Sequence, residues 1–131
     1  MRIIDIELLD SISKEAKESP RLRMNYNLHE NLDDKVQRLI NAMEPGTFMP
    51  VHRHRNTSET YFLFRGGLRV LLYNENKELI SSTELNPQEG KYGVHIPAGQ
   101  WHSIEVLLPD TIIFEVKEGP YTPLSNEDRL D

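Results

Sequence analysis

From residue 36 to residue 116 the chain is a succession of short apolar runs cut by turn-forming residues, with no amphipathic helix between one run and the next. The runs cover 36–43, 49–54, 59–65, 68–73, 79–85, 93–96, 102–107 and 111–116. Glu44-Pro45-Gly46, Gly66-Gly67, Asn74-Glu75-Asn76, Asn86-Pro87, Pro97-Ala98-Gly99 and Pro109-Asp110 separate them, and these residues supply the fixed or positive φ that tight turns need. A parallel pair of strands requires a crossover of a dozen or more residues, usually a helix, and none is encoded here. The expected fold is therefore all-β: a single antiparallel barrel or jelly roll. At 131 residues one such domain buries an adequate core without staples.

The segment before residue 36 reads differently. Residues 2–6 are compatible with a short strand, and residues 7–18 place Leu8, Leu9, Ile12 and Ala16 on one helical stripe that ends at Ser19-Pro20. Beyond it the period becomes two. Leu22, Met24, Tyr26 and Leu28 fall on one face of a strand, with Arg21, Arg23, Asn25, Asn27 and His29 on the other. The expected organisation is a strand, helix and strand appendage over 1–35 packed on a barrel over 36–120, followed by a tail over 121–131.

A net charge of -6 disfavours a phosphate-backbone partner, so no nucleic acid is expected, and no pair of DNA-binding helices accompanies the strands. The N-terminus carries acids throughout and lacks a long apolar span, which predicts neither a secretory leader nor a membrane helix, and so a cytoplasmic protein. Cysteine is absent, so any metal has to be held by nitrogen and oxygen ligands.

Two of the five histidines, His52 and His54, stand one residue apart. Alternate residues of a strand point to the same side about 6.6 Å apart, so both imidazoles reach one ion while Arg53 faces away. Glu59 opens the next run as a candidate third ligand. His102, after the turn in Ile96-Pro97-Ala98-Gly99-Gln100-Trp101-His102, is the candidate fourth. Three imidazoles and a carboxylate suit one divalent transition metal: Zn, Fe, Ni or Mn, with Co also compatible. His95 has no partner in register and reads as a surface or loop histidine.

These residues resemble the signature of the cupin superfamily. Gly46, five residues, His52-x-His54, four residues, Glu59, six residues and Gly66 match the first motif at every fixed position. Pro97-x-Gly99-x-x-His102 matches the second, with Gly90 one residue farther from the proline than usual and Val106 where asparagine is usual. The helix, the stretch Ser19-Pro20-Arg21-Leu22-Arg23 and the late Phe114-Glu115-Val116-Lys117-Glu118-Gly119-Pro120-Tyr121 make the chain similar to the small WbuC-type cupin metalloproteins. That resemblance implies a cupin barrel, a metal at the four ligands, and a setting in O-antigen and other surface-polysaccharide loci. It implies no defined reaction.

Around the candidate centre, Tyr61 and Trp101 flank ligands and are either core aromatics or walls of a pocket. Glu115 and Lys117 share one face of the last run, either as a solvated pair or as polar groups inside the barrel, where Glu115 would be a catalytic carboxylate. The polar face of the 21–29 strand lacks any acid or lysine. Arg21, Arg23 and Asn25 therefore read as contacts for a small anionic or sugar-like ligand and His29 as a proton-transfer group; the alternative is that this face pins the appendage to the barrel. Two classes of function remain open. One is a metal-dependent enzyme, isomerase-like or epimerase-like, or an iron-dependent oxygenase; the other is a non-catalytic ligand-binding module. A homodimer is expected, because the appendage leaves apolar edges that a second copy covers.

Overall fold

Asp5 sets the start of the first element. Its carboxylate accepts the Leu8 N–H at 3.0 Å and caps helix α1, Ile6–Glu18. The strand expected over 2–6 is absent, because these residues lead into the capped helix. The helix stops at Ser19, whose neighbour Pro20 disfavours helical backbone before it. This is the computed structural model of the chain, and it describes residues 1–130; Asp131, the end of the expected tail, lies outside the described residues.

The alternating strand is shorter than its pattern. Leu22 adopts a φ of 56°, a left-handed conformation that breaks extended backbone, so β1 covers only Arg23–Asn27. The later runs form β2 (Val36–Met43), β3 (Val51–His52), β4 (Glu59–Arg65), β5 (Leu68–Tyr73), β6 (Leu79–Leu85), β7 (Gly93–Ile96), β8 (Trp101–Val106) and β9 (Thr111–Glu118). A tenth strand, β10 (Arg129–Leu130), lies in the tail. All pairings are antiparallel. They build two five-stranded sheets, in the orders β1-β2-β9-β4-β7 and β10-β3-β8-β5-β6, which face each other as a jelly-roll barrel. Within the 1–35 segment, β1 is an edge strand of the first sheet while α1 packs against that sheet from outside, and β10 in the tail is an edge strand of the second.

Two cores result. Between the sheets lie Met43, Tyr61, Leu63, Leu68, Val70, Leu85, Ile96, Ile104, Val106 and Ile113. On the outer face of the first sheet, Ile12 and Ala16 of α1 cover Ile40, Ala42 and Ile112. Strand β2 is consequently buried on both faces over its second half, which explains why Leu39-Ile40-Asn41-Ala42-Met43 does not alternate. Motif glycine Gly66 has a φ of +89°, and a Cβ there would lie 2.6 Å from Thr111 Cα. Only glycine lets the β4–β5 turn lie against β9.

Candidate metal centre

β3 is a two-residue strand that meets β8 through the single pair His52 and His102. The chain then turns, and the His54 C=O accepts the Gly99 N–H at 2.7 Å, which ties the loop after β3 to the loop before β8. Glu59 begins β4 in the facing sheet. The four side chains converge between the sheets: one ligand atom from each of His52, His54, Glu59 and His102 lies within 4.8 Å of all the others. Ring centroids are 4.3 Å apart for His52 and His102 and 5.1 Å for His52 and His54. His102 and Glu59 are buried, at 1% and 3% exposure.

The surroundings orient each ligand. His52 Nδ1 lies 2.9 Å from the Pro50 C=O, and His102 Nδ1 lies 2.9 Å from the Gln100 C=O. A carbonyl only accepts, so Nδ1 carries the proton in both rings and Nε2 is left with its lone pair facing the centre. His102 Nε2 then lies 2.7 Å from Glu59 Oε1, yet it is a buried atom without a hydrogen-bond partner. Two acceptors facing each other at that distance, with a third imidazole nitrogen of His54 at 3.6 Å, are what a shared cation satisfies. The residues present therefore fit a mononuclear divalent metal. Tyr61 donates its hydroxyl to Glu59 Oε1 at 2.7 Å and holds that carboxylate in place.

Electrostatics agree with ligand duty. Burial pulls the His52 imidazole down to about 4, assisted by its histidine neighbours, and also lowers His54, so both rings are neutral at pH 7. Burial pushes the Glu59 carboxyl up, but His102, His54 and the Tyr61 hydroxyl outweigh it and hold the group at about 2.

Register places the other candidates. Lys117 stands opposite Glu59, and Glu115 opposite Tyr61, so both project to the inner side of the sheet beside the ligands. Burial, then the Glu59 charge, raises the Glu115 carboxyl to about 7, with Lys117 and His102 opposing. A cavity of about 160 Å³ is lined by Val70, Leu72, Thr83, Val94, His95, Ile96 and Pro97, with none of the four ligands in its wall. Leu72 is the cross-strand neighbour of His102, and Ile96 that of Glu59.

Trp101, Arg21, Arg23, Asn25 and His29 stand outside the four-ligand cluster. Trp101 pairs with Tyr73 on the outer face, opposite to His102, and its ring lies 4.7 Å from the Arg53 guanidinium carbon and 5.1 Å from Lys77 Nζ. It does not line the interior. Arg21 is exposed in the turn before β1, where its C=O accepts from the Thr47 hydroxyl. Asn25 is exposed and stands opposite Asn41, two residues along β2 from Leu39, the residue level with Glu115; Arg23 stands opposite Met43, which is six residues along β2 from Gln37, the residue level with Lys117 and Glu59. That is about 20 Å of strand, and Arg23 instead donates to Met49 Sδ. His29 is buried as a loop anchor, with Nδ1 3.0 Å from the Arg38 C=O and 3.1 Å from its N. His95 is exposed and pairs with the Thr60 hydroxyl at 2.9 Å, apart from the ligand set as expected.

Residues 4–85 match the model of a family described as a domain of unknown function, DUF6016. The chain belongs to this family. No curated protein matches it. Among solved structures, the DUF6016 fold is similar to KdgF from Halomonas sp., with a TM-score of 0.60 and 16% identity over 79% of this chain and 83% of that one. It is also similar to the capsular polysaccharide assembling protein CapF from Staphylococcus aureus, with a TM-score of 0.66 and 20% identity over 86% of this chain. Oxalate decarboxylase from Lactobacillus farciminis matches 67% of this chain at a TM-score of 0.54 and 19% identity. The chain spans 32% of CapF and 25% of the decarboxylase. A matching domain from Schizosaccharomyces pombe Cnp3 is itself a cupin domain, and the cupin fold is what these likenesses share. Among the described residues no helix is long and apolar enough to cross a membrane.

Proposed function

We propose that the chain is a WbuC-type, cytoplasmic, mononuclear metal-dependent enzyme that moves a proton on a small sugar or organic acid in surface-polysaccharide metabolism. The observation that carries this reading is the position of Glu115: a carboxyl on β9, opposite Tyr61 of β4 and so on the same inner side of the sheet as the Glu59 ligand. A divalent metal held by His52, His54, Glu59 and His102 supplies Lewis-acid polarisation of a hydroxyl or carbonyl oxygen. Glu115 takes up the proton released next to that polarised group and returns it, as an isomerase or epimerase requires. Lys117, close enough to act electrostatically on both His54 and Glu115, matches the charge of an anionic substrate. Leu72, Val94 and Ile96 keep water from the side of the centre and receive an apolar part of the substrate. CapF, a capsular polysaccharide assembling protein with the same fold, supports the setting.

The test starts from metal-replete protein screened by thermal shift against nucleotide-sugars, sugar phosphates and hydroxy or keto acids, since a ligand of the folded state raises the melting temperature. Hits are incubated in deuterated water and followed by proton NMR. Deuterium is expected to enter the carbon next to the carbonyl, and Glu115→Gln is expected to abolish this at unchanged metal content. A binder that takes up no deuterium would make the chain a ligand-binding module, and a screen without any stabilising compound would contradict the substrate class.

A further inference from the structure

The strand that carries His52 is held on one side by a single residue pair, so its other edge decides how firmly the His-x-His unit is placed. That edge is covered by the C-terminal segment. Arg129 and Leu130 of β10 pair with His52 and Val51, and the Arg53 N–H continues the ladder to the Asp128 C=O at 2.9 Å. Along 52–55 the side chains alternate, histidines inward and arginines outward. Asp128 Oδ1 accepts from Nε of both Arg53 and Arg55 at 2.9 Å, while Ser125 donates to its other oxygen at 3.0 Å. The Arg53 and Asp128 side chains are only 18% and 15% exposed, which sets this pair apart from ordinary surface ion pairs. Arg53 also lies over Trp101, the residue before His102. One carboxylate is thereby linked through Arg53 to both strands that carry buried imidazole ligands.

We propose that Asp128 is a positioning residue for the metal centre, and that the segment 125–130 is a clasp whose docking sets the spacing of His52 and His54. The inference rests on the metal reading of the four-ligand cluster. Coupling of this kind is reciprocal: if docking of the clasp tightens metal binding, metal binding tightens docking by the same factor.

Two measurements on the full-length chain test it. The first is Co²⁺ affinity by chelator competition, in wild type, in Asp128→Asn, and in Glu84→Gln, which breaks an ion pair to Arg69 in the same sheet. Asp128→Asn is expected to bind about tenfold more weakly or worse, as loss of a group that orients metal ligands does, and Glu84→Gln to match wild type. The second is amide hydrogen exchange of residues 125–130 in wild type, expected to slow on metal loading. Equal affinity in wild type and Asp128→Asn, or exchange indifferent to metal, overturns the clasp. A lower melting temperature of metal-free Asp128→Asn with unchanged Co²⁺ affinity overturns it too, because the role is then structural alone. If Asp128→Asn does not fold, Arg55→Gln, which removes one of the two guanidinium partners, carries the same affinity test with the same reading. Failure of wild type itself to bind Co²⁺ refutes the metal centre instead.

Discussion

His102→Ala is expected to lower the affinity for a divalent transition metal by about 100-fold or more, while His95→Ala leaves it unchanged. The reason lies in what each imidazole faces. His102 is buried, its Nδ1 proton is committed to the Gln100 C=O, and its Nε2 points at Glu59 Oε1 without a hydrogen bond. In the neutral ring that lone pair faces the carboxylate oxygen, and a cation between the two satisfies both. Four-ligand protein sites bind zinc with roughly 10 to 16 kcal/mol, so one ligand of four accounts for a few kcal/mol, or two to three decades of affinity. His95 is exposed and engaged by Thr60. Chelator competition on the two purified variants checks the contrast, and equal affinities would show that the cluster is not the binding site.

The second large effect concerns pH. The Glu115 carboxyl sits at about 7 in the folded metal-free protein, against an ordinary value of 4.5. A raised carboxylate pKa means that the folded state binds the proton more tightly than the unfolded chain, so ionisation opposes folding. The penalty is absent below about pH 4.5, grows as pH rises, and is complete above about 7, where linkage makes it about 3 kcal/mol. His52, lowered to about 4, and His54, lowered too, act in the opposite sense over much of the same range, because the unfolded chain binds those protons more tightly, so the Glu115 contribution is read as a difference between wild type and a variant. Glu115→Gln, which keeps the shape without the charge, should gain stability relative to wild type as pH rises from 5 to 7.5 and be the more stable protein at pH 8. Urea midpoints across this range decide it, and parallel pH profiles for the two proteins would contradict the assignment of a half-buried Glu115 that holds its proton up to about pH 7.

Much of this architecture was legible because strand parity is a local property. The runs at 36–43, 59–65, 68–73, 79–85 and 93–96 coincide with β2, β4, β5, β6 and β7, since turn residues bracket each one. The four ligands follow from the same parity plus spacing. Parity also contained an unused signal: if His102 faces inward, its neighbour Trp101 faces outward, as it does. Tyr61, two residues from Glu59, shares its side and holds it. What could not be read is long-range register. Glu115 and Lys117 lie inside because β9 pairs with β4, a pairing between distant segments that no local pattern announces. The reach of β1 was overestimated because Leu22 takes a left-handed conformation that its residue type does not suggest. Two-residue β10 gives no periodic signal, and the role of Asp128 emerges only when Arg53 and Arg55 are seen beside it.

The most direct test of the central claim is the metal content of the purified chain, measured by elemental analysis after loading with a divalent transition metal and removal of the excess by gel filtration. One equivalent per chain in wild type and none in His54→Ala is the expected result. A wild type that emerges without metal, or a His54→Ala protein that keeps a full equivalent, would contradict a centre built from His52, His54, Glu59 and His102.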